Sequence, residues 1–225
     1  MIRRVLKTEK YIPDDAVFGY TGFTPKGYIS CRGTFVDENG NKRYGENYIK
    51  MPYQIGDILY VRETWKRFCG MLYGWENGTY IPLDDFEGYQ YKAGEQCICT
   101  KGPNPLCGGF EDQKSDIRFD DNWHPSIHMP KEAARIFLKV TGVRVEQLQD
   151  ITIDQIVREG IYIDNTPPDY VPSILTAYTF DRNTYCSSPN LLFRKLWNST
   201  IKKSDLDKYG WDANPWVWVI EFDRI

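Results

Sequence analysis

The sequence Trp-His-Pro-Ser-Ile-His-Met-Pro occupies residues 123–130, and a strand-like run over residues 135–145 follows it almost at once. Both histidines of the protein and two prolines lie within these eight residues. Because proline fixes the backbone φ angle and no simple period orders the segment, we expect a rigid, polar-edged wall of a pocket. The segment Gly-Asp-Ile-Leu-Tyr-Val-Arg-Glu-Thr-Trp at residues 56–65 is equally distinctive, and its residues 58–64 predict a strand.

Two Asn-Gly pairs predict β-hairpins. Asn39-Gly40 lies between alternating segments at residues 28–36 and 42–51, and Asn77-Gly78 lies between two short strand-like segments. Asn-Gly favours the tight turn that joins neighbouring antiparallel strands. We therefore expect two hairpins in the first half of the chain.

Alternating apolar residues predict two further strands. One covers residues 135–145, with Gly142 placed where a bulge or bend would fit, and the other covers residues 216–222 as a core strand. Many strands with few helices between them predict an α+β fold with a mostly antiparallel, partly closed sheet and helices at its ends.

Capping signals predict two helices. Thr152 followed by Gln155 has the form of a capping box, and Gly160 suits the end of that helix. Ser188-Pro189 is typical of an N-cap and a first helical residue. A third helix is expected over residues 171–178. The residues expected on the buried faces of the first two helices are Ile156, Val157, Leu192, Phe193, Leu196 and Trp197.

The length of 225 residues and a hydrophobic content of 41% suit a single domain with its own core. Residues 95–122 and 162–187 show little periodicity, so we expect loop insertions at about these positions. No segment approaches the roughly 18 apolar residues that span a bilayer, and the first residues lack the apolar stretch of a signal peptide. A cytoplasmic protein without a membrane partner is expected.

Six cysteines in a cytosolic chain favour thiols or metal ligands over disulfides. Cys97-x-Cys99 with Cys107, and Cys69 or His124 as a fourth ligand, would form a zinc site. Structural zinc sites generally use two closely spaced ligand pairs, and this spacing departs from that pattern. We therefore expect no cofactor, with zinc as the alternative.

A family resemblance is carried by five segments, which are residues 56–65, 123–130, 135–151, 159–160 and, as the last strand, 209–222. These segments resemble the phage and prophage branch of the ASCH-domain family. The match spans most of the chain, apart from the cysteine-containing loop and residues 162–187. The resemblance implies a PUA-like β-barrel, a fold whose relatives bind RNA or read modified bases in a pocket, and it implies the host cytoplasm as the location.

The resemblance also bears on catalysis. Some small ASCH proteins look like hydrolases of acetylated cytidine that use a lysine, a threonine and a glutamate. The family segment Gly-x-Lys-Thr-x-Thr-Arg-Arg is matched here only by Arg3 and Arg4, with Ile2 in place of the second threonine. Glu159 matches the family glutamate. The implied catalytic set is incomplete, so either Met1 is an internal methionine of a longer reading frame or the segment has been lost.

Glu63 is a second candidate for a catalytic carboxylate. It lies in an apolar segment beside Arg62, and an acid whose pKa is tuned by its neighbours can act as a general base. The alternative is a structural pair between Glu63 and Arg62. For Glu159, which stands at a helix end, the alternative is a solvated acid.

Basic residues interleaved with aromatic residues suit single-stranded nucleic acid, because phosphates meet cationic groups and bases stack on rings. With a net charge of −3, any such contact should be local. Core packing is the alternative for Trp65. With no acid at a recognisable spacing, Ser126 and His128 do not favour a nucleophile pair. The residues expected near the ligand are Arg3, Arg4, Arg62, Trp65, Lys66, Arg67, Ser126, His128 and Arg135.

Three functions follow as hypotheses. The first is a module that binds RNA or a modified nucleotide in a pocket, and it is the one that the resemblance favours. The second is a nucleoside or RNA hydrolase that uses Glu63 or Glu159. The third is a phage protein that binds and inhibits a nucleic-acid-guided complex of the host, which the net negative charge suggests.

Overall fold

A computed structural model describes residues 1–8, 10–94, 96–103, 106, 114–164, 176–179, 185–186 and 188–225. These residues form mostly antiparallel sheets with few helices, which confirms the expected β-rich α+β class. The helices are α1 (Ile153–Arg158), α2 (Pro189–Thr200) and α3 (Leu206–Tyr209). The strands are β1 (Ile2–Val5), β2 (Val17–Gly19), β3 (Tyr28–Val36), β4 (Lys42–Lys50), β5 (Ile58–Tyr60), β6 (Trp65–Glu76), β7 (Thr79–Tyr91), β8 (Cys97–Lys101), β9 (Lys114–Phe119), β10 (Phe137–Gln147), β11 (Ile161–Asp164), β12 (Thr176–Thr179), β13 (Tyr185–Cys186) and β14 (Trp216–Arg224).

The chain divides into two compact units. The first unit comprises Met1–Asp57 and Val140–Asp223, and the second comprises Ile58–Lys139 with the last two residues. In the first unit the strand orders are β1-β14-β10, β2-β3-β4 and β11-β12-β13. In the second unit the order is β8-β7-β6-β9, and β5 pairs with the first three residues of β10.

The first predicted hairpin is confirmed in the first unit. Strands β3 and β4 pair without interruption from Tyr28–Lys50 to Val36–Lys42. At the turn, Gly40 has a φ of +80°, a region that glycine enters without a steric penalty, and its N–H donates to the Asp37 carbonyl at 2.9 Å.

Strand β14 lies in the core of the first unit. The alternation predicted one buried face, but Val217, Trp218, Val219 and Ile220 are all buried, so both faces of the strand are covered. Val217 and Val219 pack in a cluster with residues of helices α1 and α2 and of strand β11. The remaining members of this cluster are Leu148, Ile151, Ile156, Ile161, Leu192, Phe193 and Trp197.

Helix α1 forms from the predicted capping box. The Thr152 hydroxyl accepts a hydrogen bond from the backbone N–H of Gln155, and the Gln155 side chain accepts one from the backbone N–H of Thr152. Gly160 follows the helix with a φ of +96°. Ile156 is buried as expected, but Val157 is 45% exposed. The burial of Val157 was wrongly predicted because successive helical residues point about 100° apart and this short helix buries a narrow stripe.

Helix α2 begins as predicted, with the Ser188 hydroxyl accepting from the Leu191 N–H and proline at the first position. Leu192, Phe193 and Trp197 are buried, whereas Leu196 is 36% exposed and its predicted burial is wrong. The third predicted helix is also wrong where the structure describes it, because residues 176–178 belong to β12. Thr and Tyr favour strands there. Residues 171–175 lie outside the described residues. Among the described residues, no helix has the length and apolar character needed to cross a membrane.

The second predicted hairpin is confirmed in the second unit, where β6 and β7 pair around Asn77-Gly78. Asn77 has a φ of +48° and Gly78 a φ of +85°, which is the geometry of a type I′ turn. On these strands Gly70 allows a close approach of backbone, because a Cβ atom there would overlap the Asp116 carbonyl oxygen on β9. Phe68, Leu72 and Phe86 form a small buried cluster on one face of this sheet.

Three segments differ from the sequence-based expectation. The loop expected at 95–122 contains β8 and β9, and the loop expected at 162–187 contains β12, β13 and most of β11. Short strands beside glycines, prolines and charged residues carry too little periodicity to be recognised. The strand expected over residues 58–64 ends at Tyr60.

Candidate functional site

The two distinctive segments of the sequence lie side by side in the second unit. The Trp65 N–H donates to the His124 carbonyl at 3.1 Å, and the His124 N–H donates back to the Trp65 carbonyl at 2.7 Å. Their rings lie 4.6 Å apart between centroids. The Arg62 guanidinium donates to the Ile127 carbonyl at 3.0 Å. The two segments are therefore joined by backbone and side-chain hydrogen bonds.

The proline-containing segment adopts a compact conformation. Pro125 and Pro130 have extended backbone, and Ser126–His128 forms one turn of 3₁₀ helix between them. His128 is exposed and Ser126 is half-buried. Met129 is buried, and its sulfur accepts a hydrogen bond from the Glu63 N–H at 3.0 Å. Contacts within the second unit thus hold Ser126 and His128 in place at its surface.

One histidine has an acid partner that the sequence analysis missed. His124 Nε2 lies 2.8 Å from Asp120 Oδ2. The hydrogen bond to His124 lowers the pKa of Asp120, and the Arg67 N–H also donates to this carboxylate, at 3.1 Å. The spacing of four residues normally indicates a helix, but here Asp120 follows the end of β9, so no helical pattern marked the pair.

Glu63 pairs with Arg135, which corrects the expected pairing with Arg62. Arg135 donates from Nε at 2.8 Å and from Nη2 at 2.7 Å to the two oxygens of Glu63. The side chains are only 16% and 10% exposed for Arg135 and Glu63, and the guanidinium lies 4.4 Å from the Tyr91 ring centroid. Arg135 also donates to the Ala93 carbonyl at 3.1 Å. The hydrogen bond to Glu63 raises the pKa of Arg135. Both carboxylate oxygens are therefore engaged by a cation.

The expected cluster of Trp65, Lys66 and Arg67 is divided between two faces of β6, because successive side chains of a strand point in opposite directions. Trp65 contacts the Tyr89 ring at 5.3 Å and is half-buried, so packing accounts for much of its surface. Arg67 forms an ion pair with Glu87. The Lys66 ammonium lies 4.3 Å from the ring of Phe119 and 4.9 Å from that of Trp123.

The candidate zinc ligands are distributed over the β6–β9 sheet. Cys97 and Cys99 pack against the cluster around Phe68 on one face. Cys69, exposed on the strand position after Phe68, points to the other face and cannot share a metal with them. Cys107 lies outside the described residues. Within the described part of the chain, no group of three or more His, Cys, Asp or Glu side chains has the arrangement of a metal site.

Arg3 is buried in the first unit and binds acidic side chains. Only 1% of its side chain is exposed. Nη1 donates to Glu159 at 2.8 Å, and Nη2 donates to Glu146 at 2.6 Å and to the Gln155 side-chain oxygen at 2.9 Å. Its nitrogens are therefore occupied by protein oxygens, apart from a buried Nε without a partner among the described residues.

Glu159 is not the solvated acid that its place at a helix end suggested. Its side chain is 13% exposed. Burial raises the pKa of Glu159, and the nearby Arg3 charge opposes this shift. A cavity of about 220 Å³ adjoins the pair and is otherwise lined mainly by Ile161, Phe193 and Trp197. The carboxylate is thus held by an arginine in a mainly apolar environment.

Arg4 points away from the Arg3 cluster because neighbouring residues of β1 face opposite sides. Arg3 is paired with Val219, and Arg4 is paired with Trp218. Arg4 is exposed and borders a cavity of about 720 Å³ in the first unit, which we call the basic groove. Its charged and aromatic lining includes Arg4, Lys7, Lys50, Lys202, Asp205 and Tyr209.

The basic groove is built from segments that are far apart in the sequence. Arg4 and Lys7 come from β1 and the residues after it, Lys50 ends β4, and Lys202 follows α2. Lys202 lies just past the helix, where a cation interacts favourably with the carbonyl end of the helix dipole. Of these cations only Arg4 was expected near a ligand. The lysines carried no local pattern that could have identified them.

Cations also lie over the ring of Tyr209, one of the two aromatic residues in the described lining of the basic groove. The ammonium groups of Lys7 and Lys208 lie 5.3 Å and 5.2 Å from the Tyr209 ring centroid. Asp205 is the acidic residue of the lining, and it accepts a hydrogen bond from the Ser204 hydroxyl at 3.0 Å. Four cations against one anion give the lining a local excess of positive charge, within a chain of net charge −3.

Comparisons of the chain with protein-family models, with curated proteins and with solved structures found no match. The ASCH resemblance and the PUA-like barrel therefore stay predictions. The geometry of the basic groove is the main basis for a functional assignment.

Proposed function

We propose that the chain is an ASCH-type, PUA-like module of phage origin that binds RNA or a nucleotide, and that the basic groove is its contact surface. The observation that carries the proposal is the convergence of Arg4, Lys7, Lys50 and Lys202 on one cavity. Cations that line a concave surface raise the local concentration of a polyanion, because the low-dielectric walls focus the field. A phosphate chain fits that requirement.

The size of the basic groove agrees with this proposal. Ligand pockets in proteins usually measure about 300–1,000 Å³, and the basic groove lies within that range at about 720 Å³. Val5, Met51 and Ile201 supply an apolar part of the lining between the cations. The excess of positive charge is local, so it is compatible with the acidic balance of the whole chain.

Salt-dependent RNA binding tests the proposal. The logarithm of the affinity for single-stranded nucleic acid falls with the logarithm of salt concentration with a slope of about −0.7 for each phosphate contacted. Four contacts predict a slope of about −3 for a fluorescent RNA of about ten nucleotides, measured by anisotropy between about 50 and 200 mM salt. Replacing Lys7, Lys50 and Lys202 together by Gln is expected to reduce the slope to about −0.7 and to weaken binding by more than about tenfold.

A matched control separates the basic groove from net charge. Lys42, Lys92 and Lys139 are exposed and do not line the groove, and replacing all three by Gln changes the net charge by the same amount. This control variant is expected to bind RNA within about twofold of the unchanged protein. Equal weakening in both variants, or no RNA binding by the unchanged protein at low salt, contradicts the proposal.

The hydrolase alternative gains no support from the two candidate carboxylates. Glu63 accepts two hydrogen bonds from Arg135, and Glu159 accepts one from Arg3. A general base needs a lone pair directed at a substrate proton. These contacts favour structural roles for both acids, so binding without turnover is the function that we propose.

A further inference from the structure

The side chains that line the basic groove differ from those that usually read nucleobases. Base edges are typically read by Asn, Gln, Ser or Arg side chains in bidentate or paired hydrogen bonds. Among the described residues, the lining contains no Asn, Gln, Ser or His, and Arg4 is its one side chain of a base-reading type. The Thr200 hydroxyl donates to the Trp197 carbonyl at 2.7 Å, so its proton is already used. Charge, which binds phosphate, therefore dominates the polar lining.

The aromatic side chains of the lining are poorly placed for base stacking. Trp218 is 4% exposed, so its ring surface is not available to a ligand. Tyr209 already has two lysine ammonium groups over its ring, at 5.3 Å and 5.2 Å from the centroid. A stacked base would compete with these cations for the same π system. Sequence-tolerant binding by stacking, which is typical of many single-strand binders, requires an open ring.

We infer that the basic groove recognises the phosphodiester backbone of a single strand and not its bases. The ligand class is a sugar-phosphate chain, and the presence and identity of the bases have little effect on affinity. Arg4 and the three lysines bind successive phosphates, and the ammonium groups beside Tyr209 stay over its ring in the complex. The inference rests on the proposed function and specifies its ligand.

An abasic oligonucleotide tests this inference on the unchanged protein. A chain of about ten abasic deoxyribose phosphates carries the charge of an oligonucleotide of equal length but offers no base to stack or to read. Its dissociation constant is expected to lie within about threefold of that of a single-stranded DNA of mixed sequence, with the same dependence on salt. Stacking on an aromatic residue changes affinity by a factor of about 5 to 150. If the protein binds the DNA but binds the abasic chain more than about tenfold more weakly, the inference is wrong and the proposed function still stands.

A substitution of the ring gives a second, independent measurement. Tyr209→Leu removes the aromatic face and keeps every cation of the lining, so RNA affinity is expected to change by less than about threefold. A loss of more than about tenfold, in a variant whose circular dichroism spectrum is unchanged, shows that a base stacks there and contradicts the inference. If the unchanged protein binds none of the RNA, the DNA and the abasic chain, the proposed function itself is contradicted. Equal binding of the DNA and the abasic chain supports the inference, binding of the DNA alone contradicts it, and binding of no ligand contradicts the proposed function.

Discussion

Removing the charge of Glu63 is expected to destabilise the second unit. Glu63→Gln leaves the Arg135 guanidinium, 16% exposed, without its carboxylate. The Gln amide offers one good acceptor where the carboxylate offered two, and the remaining acceptors of Arg135, such as the Ala93 carbonyl, carry no charge. Breaking a buried ion pair by removing one partner reduces stability by about 3–5 kcal/mol. Because both side chains keep a little contact with solvent, we expect about 3 kcal/mol for Glu63→Gln. Arg135→Met should reduce stability by a similar amount, because it leaves the Glu63 carboxylate without its cation and removes the cation–π contact with Tyr91.

A double-mutant cycle isolates the interaction. The variant that carries both Glu63→Gln and Arg135→Met no longer has an unpaired charge, so its loss should be at least about 1.5 kcal/mol smaller than the sum of the two single losses. Urea unfolding, followed by tryptophan fluorescence and circular dichroism, measures the free energy of unfolding of the unchanged protein, the two single variants and the double variant. The exposed pair of Arg67 and Glu87 provides the control, and Glu87→Gln should lose less than about 1 kcal/mol.

The outcome that would refute this reasoning is specific. A loss below about 1 kcal/mol for Glu63→Gln, with additive single substitutions, means that water screens the pair as it screens pairs at the surface. Glu63 would then be accessible enough to return as a candidate base. A loss near 3 kcal/mol with strong coupling assigns Glu63 a structural role.

Three further predictions concern the first unit and the β6–β9 sheet. Arg3→Met should lower the free energy of unfolding by about 3 kcal/mol, because it leaves the Glu159 carboxylate without its arginine and leaves Glu146 with Arg144 as its remaining ion-pair partner among the described residues. Arg4→Met should change the free energy of unfolding by less than about 0.5 kcal/mol and weaken RNA binding. Urea unfolding measures the stability of both variants, and anisotropy measures their RNA binding. Burial raises the pKa of Glu159 above its ordinary value of 4.5, so the native state keeps this proton to higher pH than the unfolded chain does. The protonated carboxyl therefore contributes stability that is fully present below pH 4.5. This contribution is lost as the pH rises through the native pKa. The stability of the unchanged protein relative to Glu159→Gln should therefore fall as pH rises from about 4 to 7 in urea titrations. Gly70→Ala should reduce stability by more than about 2 kcal/mol because its Cβ overlaps a carbonyl oxygen, whereas Gly22→Ala, which meets open space, should change it by less than about 1 kcal/mol in the same assay.

The features that the sequence predicted correctly depend on short-range chemistry. Asn39-Gly40 and Asn77-Gly78 form the expected turns because Gly40, Asn77 and Gly78 adopt positive φ angles, which glycine and asparagine accept more readily than other residues. The capping box at Thr152 depends on residues three positions apart. Local rules need no knowledge of the tertiary structure, so they hold at these positions.

The features that the sequence did not predict depend on long-range contacts. Neighbouring residues suggested that Glu63 pairs with Arg62, but the tertiary structure brings Arg135 to it. Arg3 and Arg4 are adjacent and identical in sequence, but the alternation of side chains along β1 buries Arg3 and exposes Arg4. The lysines of the basic groove lie on separate segments, and no periodicity connects charged surface residues across such distances.

The middle position of β14 has a consequence for the order of folding events. In its sheet β14 lies between β1 and β10, and Ile2 at one end of the chain pairs with Ile220 near the other. During synthesis on a ribosome, β1 must wait for its neighbour until all the residues between the two strands, and β14 itself, have emerged. Closing so long a loop is slow, whereas the β6–β7 hairpin pairs adjacent residues and can form while translation continues. A pulse-labelled nascent chain should therefore acquire protease resistance in the second unit before the first.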